Sequence, residues 1–284
     1  MKMVKKIVMT TLSVLFIACS LLMWNPLGEN ITYAANNTAN SEKITADGYG
    51  VLPTGIPIGR AKIMARRAAI VDAQRNLVET IQGTAVDSET TVNNFILTDD
   101  VVKTKVSGLI KGATVVDEEL LEDNMYRVVM SVPMYGVGSV AEIAYDAVIG
   151  NNQPQNIPMA DNAFIESYTP AENVYTGLVI DASGSELEKT FCPAIYDTNG
   201  RVIYGVNNVD KDYAISNGIV EYSNNINSLN TRAGVKPIVI KIVSLKPRVV
   251  NKCDVIISVD DADRLLAENQ RSHFLDKYAV VFVK

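Results

Sequence analysis

The stretch "RAKIMARRAAIVDAQRNLVETIQG", Arg60 to Gly83, runs without Pro or Gly until its last residue. Gly83 is a natural helix stop, and β-branched residues follow it. One long helix over 60–83 is therefore expected. Projected at 100° per residue, Ile63, Ile70, Leu77 and Ile81 fall in one narrow arc. Met64, Val71 and Val78 lie on its flank, and Arg67 and Gln74 interrupt the surface. This reading makes the isoleucine side the core side. On the opposite side lie Ala61, Ala65, Ala68, Asp72, Arg75 and Glu79, small and charged. Asp72 with Arg75, and Arg75 with Glu79, stand at ion-pair spacing. Such a face lets a neighbouring backbone come close, with a polar cluster to set register, and is the candidate assembly face. The bland alternative is that it meets water. A basic binding helix is set aside, because Arg60, Arg66, Arg67 and Arg75 project in several directions on the wheel.

Working outward, "KITADGYGVLP" reads as a strand before the helix. "LTDDVVKTKVSGLI" reads as a short helix with Thr98 as N-cap. "GATVVDEELLEDNMYRVVMSVPM" is a strand, a polar turn at Asp123-Asn124, and a second strand. "GVGSVAEIAYDAV" closes the half as a helix, with Val140, Ile143, Ala144, Ala147 and Val148 on one apolar face.

The ordered set "ARRAAIVDAQRNLVETIQGTAVDSET", then "VSGLIKGATVV" and "YRVVMSVPM", resembles the LPP-twenty lipoprotein family. It is also similar to the FlgT N-terminal-like and FlgP-like envelope proteins of bacterial flagella. The resemblance covers about residues 44–134. It implies a small non-catalytic α+β module of the cell envelope, often oligomeric, with some members supporting flagellar rings. It also implies a lipobox, and Cys19 in "LFIAC" is a poor one: Phe16 stands where Leu is preferred.

The N-terminus has the layout of a secretory signal. "MKMVKK" is basic, an apolar core follows, and small residues lead to a cut after Ala34. An uncleaved anchor and lipidation at Cys19 are the other readings, and all three export the protein. Cleavage removes three Lys and one Glu, leaving 23 basic and 31 acidic side chains. That acidic balance argues against a general nucleic-acid binder. Membrane association would come only through the N-terminal segment, if uncleaved or lipidated.

Residues 149–173, rich in Asn, Gln and Pro at their start, read as an interdomain linker, partly ordered around Phe164 and Tyr168. The second half opens with the strand "VYTGLVIDAS". "CPAIYDTNGRVIYG" reads as a hairpin about Asn199-Gly200. "KDYAISNGIVEYSNN" is left open between helix and loop. "KPIVIKIVSLK" reads as a strand with Ile238, Ile240 and Ile242 on one side. "CDVIISV" is a buried strand, "DDADRLLAENQRSHFLDK" a helix capped by Asp260 or Asp261, and "YAVVFVK" a last strand. Cys192 and Cys253, both in this half, could form one disulfide or stay two buried thiols.

Catalytic templates fail. The single His, His273, matches no nucleophile motif and reads as a surface or capping residue. "GIPIG" and "YGVGS" are neither a dinucleotide nor a P-loop signature. "DASGSE" reads as a polar turn and "VDEELLED" as a solvated hairpin tip. No catalytic, cofactor-binding or metal-ligating residue is assigned.

The expected architecture is two α+β domains, 44–148 and 174–284, each a mostly antiparallel sheet packed by helices, after the signal segment 1–34. The expected function is that of an exported, non-catalytic envelope protein acting through contacts with envelope or flagellar-ring proteins or with its own copies. Periplasmic or outer-membrane-associated localisation goes with it. The alternative is a periplasmic ligand-binding module using the crevice between the domains.

Overall fold

The computed structural model describes residues 42–226 and 232–284. The expected signal segment, with Cys19 and the cut after Ala34, lies outside the described residues. The first half runs β1 (Lys43–Val51), α1 (Ile58–Gly83), α2 (Val92–Thr98), α3 (Asp100–Lys111), β2 (Thr114–Leu120), β3 (Met125–Pro133) and α4 (Val140–Ile149). Its three strands form an antiparallel sheet in the order β1-β3-β2. The β2–β3 turn falls at the expected place, with Asn124 in the left-handed region that Asn tolerates. The cap of α3 is Asp99, whose side chain accepts from the Val101 N–H, not Thr98, which ends α2. Ser139 caps α4 by accepting from the Glu142 N–H.

Helix α1 lies across β1 and β3 on one face of the sheet, and it does not lie as the wheel predicts. Its buried residues are Ala61, Ala65, Ala69, Ala73, Leu77 and Ile81, an unbroken i, i+4 ladder. Ile63, on the expected core side, is 57% exposed, and Val71 is 61% exposed. The reason is geometric. Four residues turn a helix by about 400°, so an i, i+4 row advances about 40° at each step. Along the whole ladder the buried stripe winds around much of the helix, and a flat projection smears it.

The alanines are on this stripe because of what they meet. A Cβ placed on Gly48 would lie 2.1 Å from the Ala73 nitrogen, and one on Gly50 would lie 2.1 Å from the Ala65 oxygen. Helix and strand touch backbone to backbone, which only Gly on one side and Ala on the other allow.

The second half adds α5 (Asn162–Ser167), β4 (Gly177–Asp181), β5 (Ile195–Asp197), β6 (Val202–Tyr204), α6 (Lys211–Asn217) and β7 (Glu221–Ser223). It ends with β8 (Pro237–Lys241), β9 (Ser244–Leu245), β10 (Val255–Ile257), α7 (Val259–Ser272) and β11 (Val280–Val283). Both halves are α+β, as expected, but the second does not have a mostly antiparallel sheet. Strands β7-β11-β4-β8 are parallel throughout. A second sheet, β6-β5-β10-β9, is mixed. The long excursions between β4, β7, β8 and β11 supply the crossovers that parallel pairing requires. Strand β11 is buried on both faces, which is why "VVFV" shows no alternation. The Asn199-Gly200 hairpin is present as β5–β6, with Gly200 at φ 85°. In β8, Ile238 and Ile240 are buried and Val239 faces out, as the period of two requires.

One open alternative is decided and one expectation changes. Cys192 and Cys253 are free, buried thiols and form no disulfide. Burial pushes the Cys192 thiol well up and Cys253 up to about 12, so both are inert core side chains rather than redox groups. Helix α7 is capped by Ser258, which accepts from the Asp261 N–H, ahead of the expected aspartates.

The segment 149–173 is a strap, not a loose tether. The Gln155 N–H donates to the Asn207 carbonyl, and the Asp161 N–H donates to Asp263. Glu268, buried on α7, accepts from both the Tyr168 hydroxyl and the Ala171 N–H. Arg271 bonds Glu268 and the Ala171 carbonyl together. Arg201, reaching from the β5–β6 hairpin, pairs with buried Asp197 at 2.9 Å and buried Asp263 at 2.8 Å. Hairpin, helix and strap are thus joined by one satisfied ionic cluster.

The two halves also share hydrogen bonds. Cys192 donates its N–H to the Val86 carbonyl, and Val250 and Asn251 both donate to Ser88. The Asn251 amide reaches the Asp87 carbonyl at 2.7 Å. Tyr145 on α4 donates to the Phe191 carbonyl and meets the Phe191 ring edge-on. One continuous apolar cluster runs from Ala69 to Phe282 through this boundary.

Candidate functional site

The six residues of the candidate assembly face do not share one exposed surface. Ala61 and Ala65 are buried, on the ladder that meets β1. Ala68, Arg75 and Glu79 are exposed. Asp72 serves the sheet instead, where its carboxylate accepts the Tyr49 N–H at 2.9 Å. One turn on, the Asn76 amide donates to the Asp47 carbonyl at 2.7 Å. These are the outward groups of β1, an edge strand, so the helix supplies to β1 the partner that a fourth strand would give. The expected Asp72–Arg75 and Arg75–Glu79 ion pairs are not formed among the described residues, because Asp72 is committed to the strand. The close backbone approach read from the alanines is real, but the backbone is the chain's own β1.

The opposite edge of this sheet is different. Strand β2 is exposed along its whole length and is not covered by α1. It carries Asp117, Glu118 and Glu119, and a bulge lies between Val115 and Asp117. Arg127 on β3 gathers Asp47, Asp117 and Glu119 at 3.2, 3.1 and 2.9 Å on the open face of the sheet. Glu118 turns to the helix side, where Arg66 meets it at 2.7 Å. Charges and a bulge are the usual guards of an open edge.

The side of α1 turned from the sheet holds Ile63, Met64, Arg67, Val71 and Arg75, all exposed. Arg60, Arg67 and Arg75 have no ion-pair partner among the described residues. Arg66 is therefore the one arginine of α1 that departs from this face. The same projection places Arg60, Arg67 and Arg75 within about 80° of one another, so the expectation that the arginines scatter holds only for Arg66.

A crevice of about 340 Å³ lies where the two halves meet. Met134 and Tyr135 line it from the first half, and Thr190, Phe191, Tyr222 and Arg232 from the second. Lys189 spans it, 3.7 Å from Glu42 and 5.9 Å from the centre of the Tyr222 ring. Arg232 donates to the carbonyls of Asn217 and Gly218, and its backbone N–H donates to Glu221 at 2.6 Å. Burial pushes the Tyr135 hydroxyl up to about 12 and Tyr222 higher still, so both stay protonated hydrogen-bonding groups. Thr190 is buried, and its hydroxyl lies beside the Cys253 thiol and the Tyr222 hydroxyl without a hydrogen bond of ordinary geometry.

The remaining motifs are structural. His273 is the left-handed C-cap of α7 (φ 54°), donates its N–H to the Asn269 carbonyl, and is exposed. The "DASGSE" turn closes on itself, with Asp181 accepting from the Ser183 N–H and hydroxyl. Among the described residues no group of three or more His, Cys, Asp or Glu is placed to hold a metal ion. No helix among them is long and apolar enough to cross a membrane.

Two family models match the chain, one in each half. The model of the LPP20 lipoprotein matches residues 34–132. The model of the second domain of Treponema pallidum Tp0624 matches residues 177–284. No curated protein matches the chain. The second half is thus similar to the Tp0624 second domain, and the first domain, with its alanine ladder and capped strand edge, is similar to the LPP20 lipoprotein family.

Proposed function

We propose that the protein is an exported, non-catalytic component of the cell envelope that acts through protein contacts. The family that the first domain resembles is described as a lipoprotein family, which supports an envelope setting. The observation that carries the contact role is the outer face of α1. A helix face that is turned from its own sheet would ordinarily be polar, yet here Ile63, Met64 and Val71 stand in solvent beside unpaired arginines. Likeness to FlgP-like proteins directs the search for partners to the flagellar basal body and the outer membrane. The test is a photo-cross-linking residue at position 71, compared in living cells with one at position 239, exposed on β8. Protein adducts at 71 and not at 239 support the reading. No adduct at 71 overturns it.

A second reading, ligand binding in the crevice, is favoured by the polar groups that line it, Thr190, Lys189, Arg232 and the Tyr135 and Tyr222 hydroxyls. A panel of small organic acids, amines and sugars, followed by melting temperature, checks it. Stabilisation that is lost in Thr190→Val supports it, and no stabilisation by any compound removes it.

A further inference from the structure

The exposed charges of the first domain fall into two separate patches of opposite sign, and each carries exposed aliphatic side chains. On α1, Arg60, Arg67 and Arg75 fall with Ile63, Met64 and Val71 in an arc of roughly 120°. All six are exposed, and no carboxylate lies within that arc. The second patch is the edge strand β2 and its turn. Val116 and Leu120 are 48% and 44% exposed there, and Glu122 and Asp123 are exposed with no ion pair among the described residues. Asp117, Glu118 and Glu119 precede them, held by Arg127 and Arg66.

We propose that these two patches are the two halves of one contact between copies of this chain: the arginine face of α1 docks on the β2 edge and turn of the next copy. This rests on the contact role proposed above and names the partner. Charge is the first argument. The chain is acidic overall, with a formal net charge of −6, so a basic patch stands out against its own surface. The acidic surface it would best fit is present on the same domain.

The second argument excludes the simpler arrangement. Two β2 edges pairing with each other would bring Asp117, Glu118 and Glu119 against their own equivalents, around a bulge at Val116. Like charges directly across a strand pair are destabilising. The β1 edge is closed to strand addition by Asp72 and Asn76. A self-complementary strand-to-strand dimer is therefore disfavoured at both edges.

The third argument is direction. The arginine face points away from the sheet and β2 forms its far edge, so the contact joins different surfaces of the two copies. Such a head-to-tail contact leaves one patch free at each end and adds copies in a row or a closed ring. With about half a dozen side chains on each side the contact is small. It therefore acts at the high local concentration of an envelope-bound array and weakens with salt.

The experiment uses the full exported chain and two charge-reversed forms, Arg67→Glu with Arg75→Glu, and Glu122→Lys with Asp123→Lys. All four sites are exposed, so folding is checked by an unchanged melting temperature. Sedimentation at low salt should show concentration-dependent association of the wild type. Each reversed form alone should associate about tenfold more weakly or worse. Mixed with wild type, each form should cap growing assemblies and shorten them. Combining both reversals in one chain should restore association, because the swapped charges again face opposite partners. A monomeric wild type at every concentration overturns the proposal, as does a doubly reversed chain that stays apart. Retention of the wild type, but not of Arg67→Glu with Arg75→Glu, on phosphatidylglycerol vesicles without self-association would assign the α1 face to an anionic lipid surface and overturn it too. Adducts at position 71 to a different envelope protein would leave the wider contact role standing while this pairing fails.

Discussion

Two of the three described sheets, β1-β3-β2 and β7-β11-β4-β8, are covered in opposite ways. The antiparallel sheet of the first domain has one helix on one face, pressed to backbone contact by Gly48 and Gly50 against Ala65 and Ala73. Its other face is open, with Arg127 and its three carboxylates. The parallel sheet of the second half is enclosed. Leu178, Ile180, Val280 and Phe282 join the main core, while Val179, Val281 and Val283 pack on the other side with Ala233. The first sheet is specified by the absence of side chains at two positions. The second is specified by the presence of large ones at many. The difference teaches where each is vulnerable: one to added volume, the other to lost volume.

Gly48→Val should have the largest effect. Its Cβ has no room beside the Ala73 nitrogen, so α1 must leave the sheet, and the first domain should fail to fold. Circular dichroism and protease resistance check this. A near-native melt would refute backbone contact. Phe282→Ala comes next, with an expected loss of about 3–5 kcal/mol in denaturant unfolding, because the ring is fully buried in the enclosed sheet. A cost under about 1 kcal/mol would mean that the parallel sheet is loosely packed. Val239→Ala, at an exposed position on β8, serves as the control.

The strap over α7 gives a pH-dependent test. Burial pushes the Glu268 carboxyl up, but donors at Ala171, Tyr168 and Arg271 outweigh it, and the net shift is downward. A depressed carboxyl contributes stability that is present above the unfolded carboxyl range and is lost as pH falls through the folded value. Cleavage within 150–172 by an acid-active protease should therefore rise below about pH 4.3, the ordinary glutamate value. In Glu268→Gln that rise should disappear, with the strap already looser at neutral pH. The smallest effect is expected for Asp72→Ala, about 1 kcal/mol, from loss of the partner of the Tyr49 N–H. Restored stability in Asp72→Asn would show that a hydrogen bond, not a charge, closes the edge.

Much of this was legible where the signal is local. The Asn199-Gly200 hairpin, the β2–β3 turn, the alternation of β8 and the span of α1 each follow from a few adjacent residues. The side on which α1 packs did not, because the stripe winds and because glycines on β1, a distant segment, decide it. Parallel pairing was equally out of reach: β4 and β11 are far apart along the chain and announce their burial, not their neighbours. Some order around Phe164 and Tyr168 was readable, but not what ties the strap down, since its partners Asp263 and Glu268 lie on a helix that reads as ordinary. The candidate face failed at Ala61 and Ala65 for the same reason as the wheel. Asp72 was marked for its position, and only the structure shows it serving a strand edge.

The boundary at residue 149 carries a consequence for inheritance. The two family models meet the chain at 34–132 and 177–284, as if two modules had been joined end to end. The shared core and the bonds from Val86 and Ser88 to Cys192, Val250 and Asn251 mean that neither module now ends where its pattern ends. A gene cut between them would leave each product with an apolar wound where the other had been. A rearrangement that moved one half alone would have to cover that surface with polar side chains.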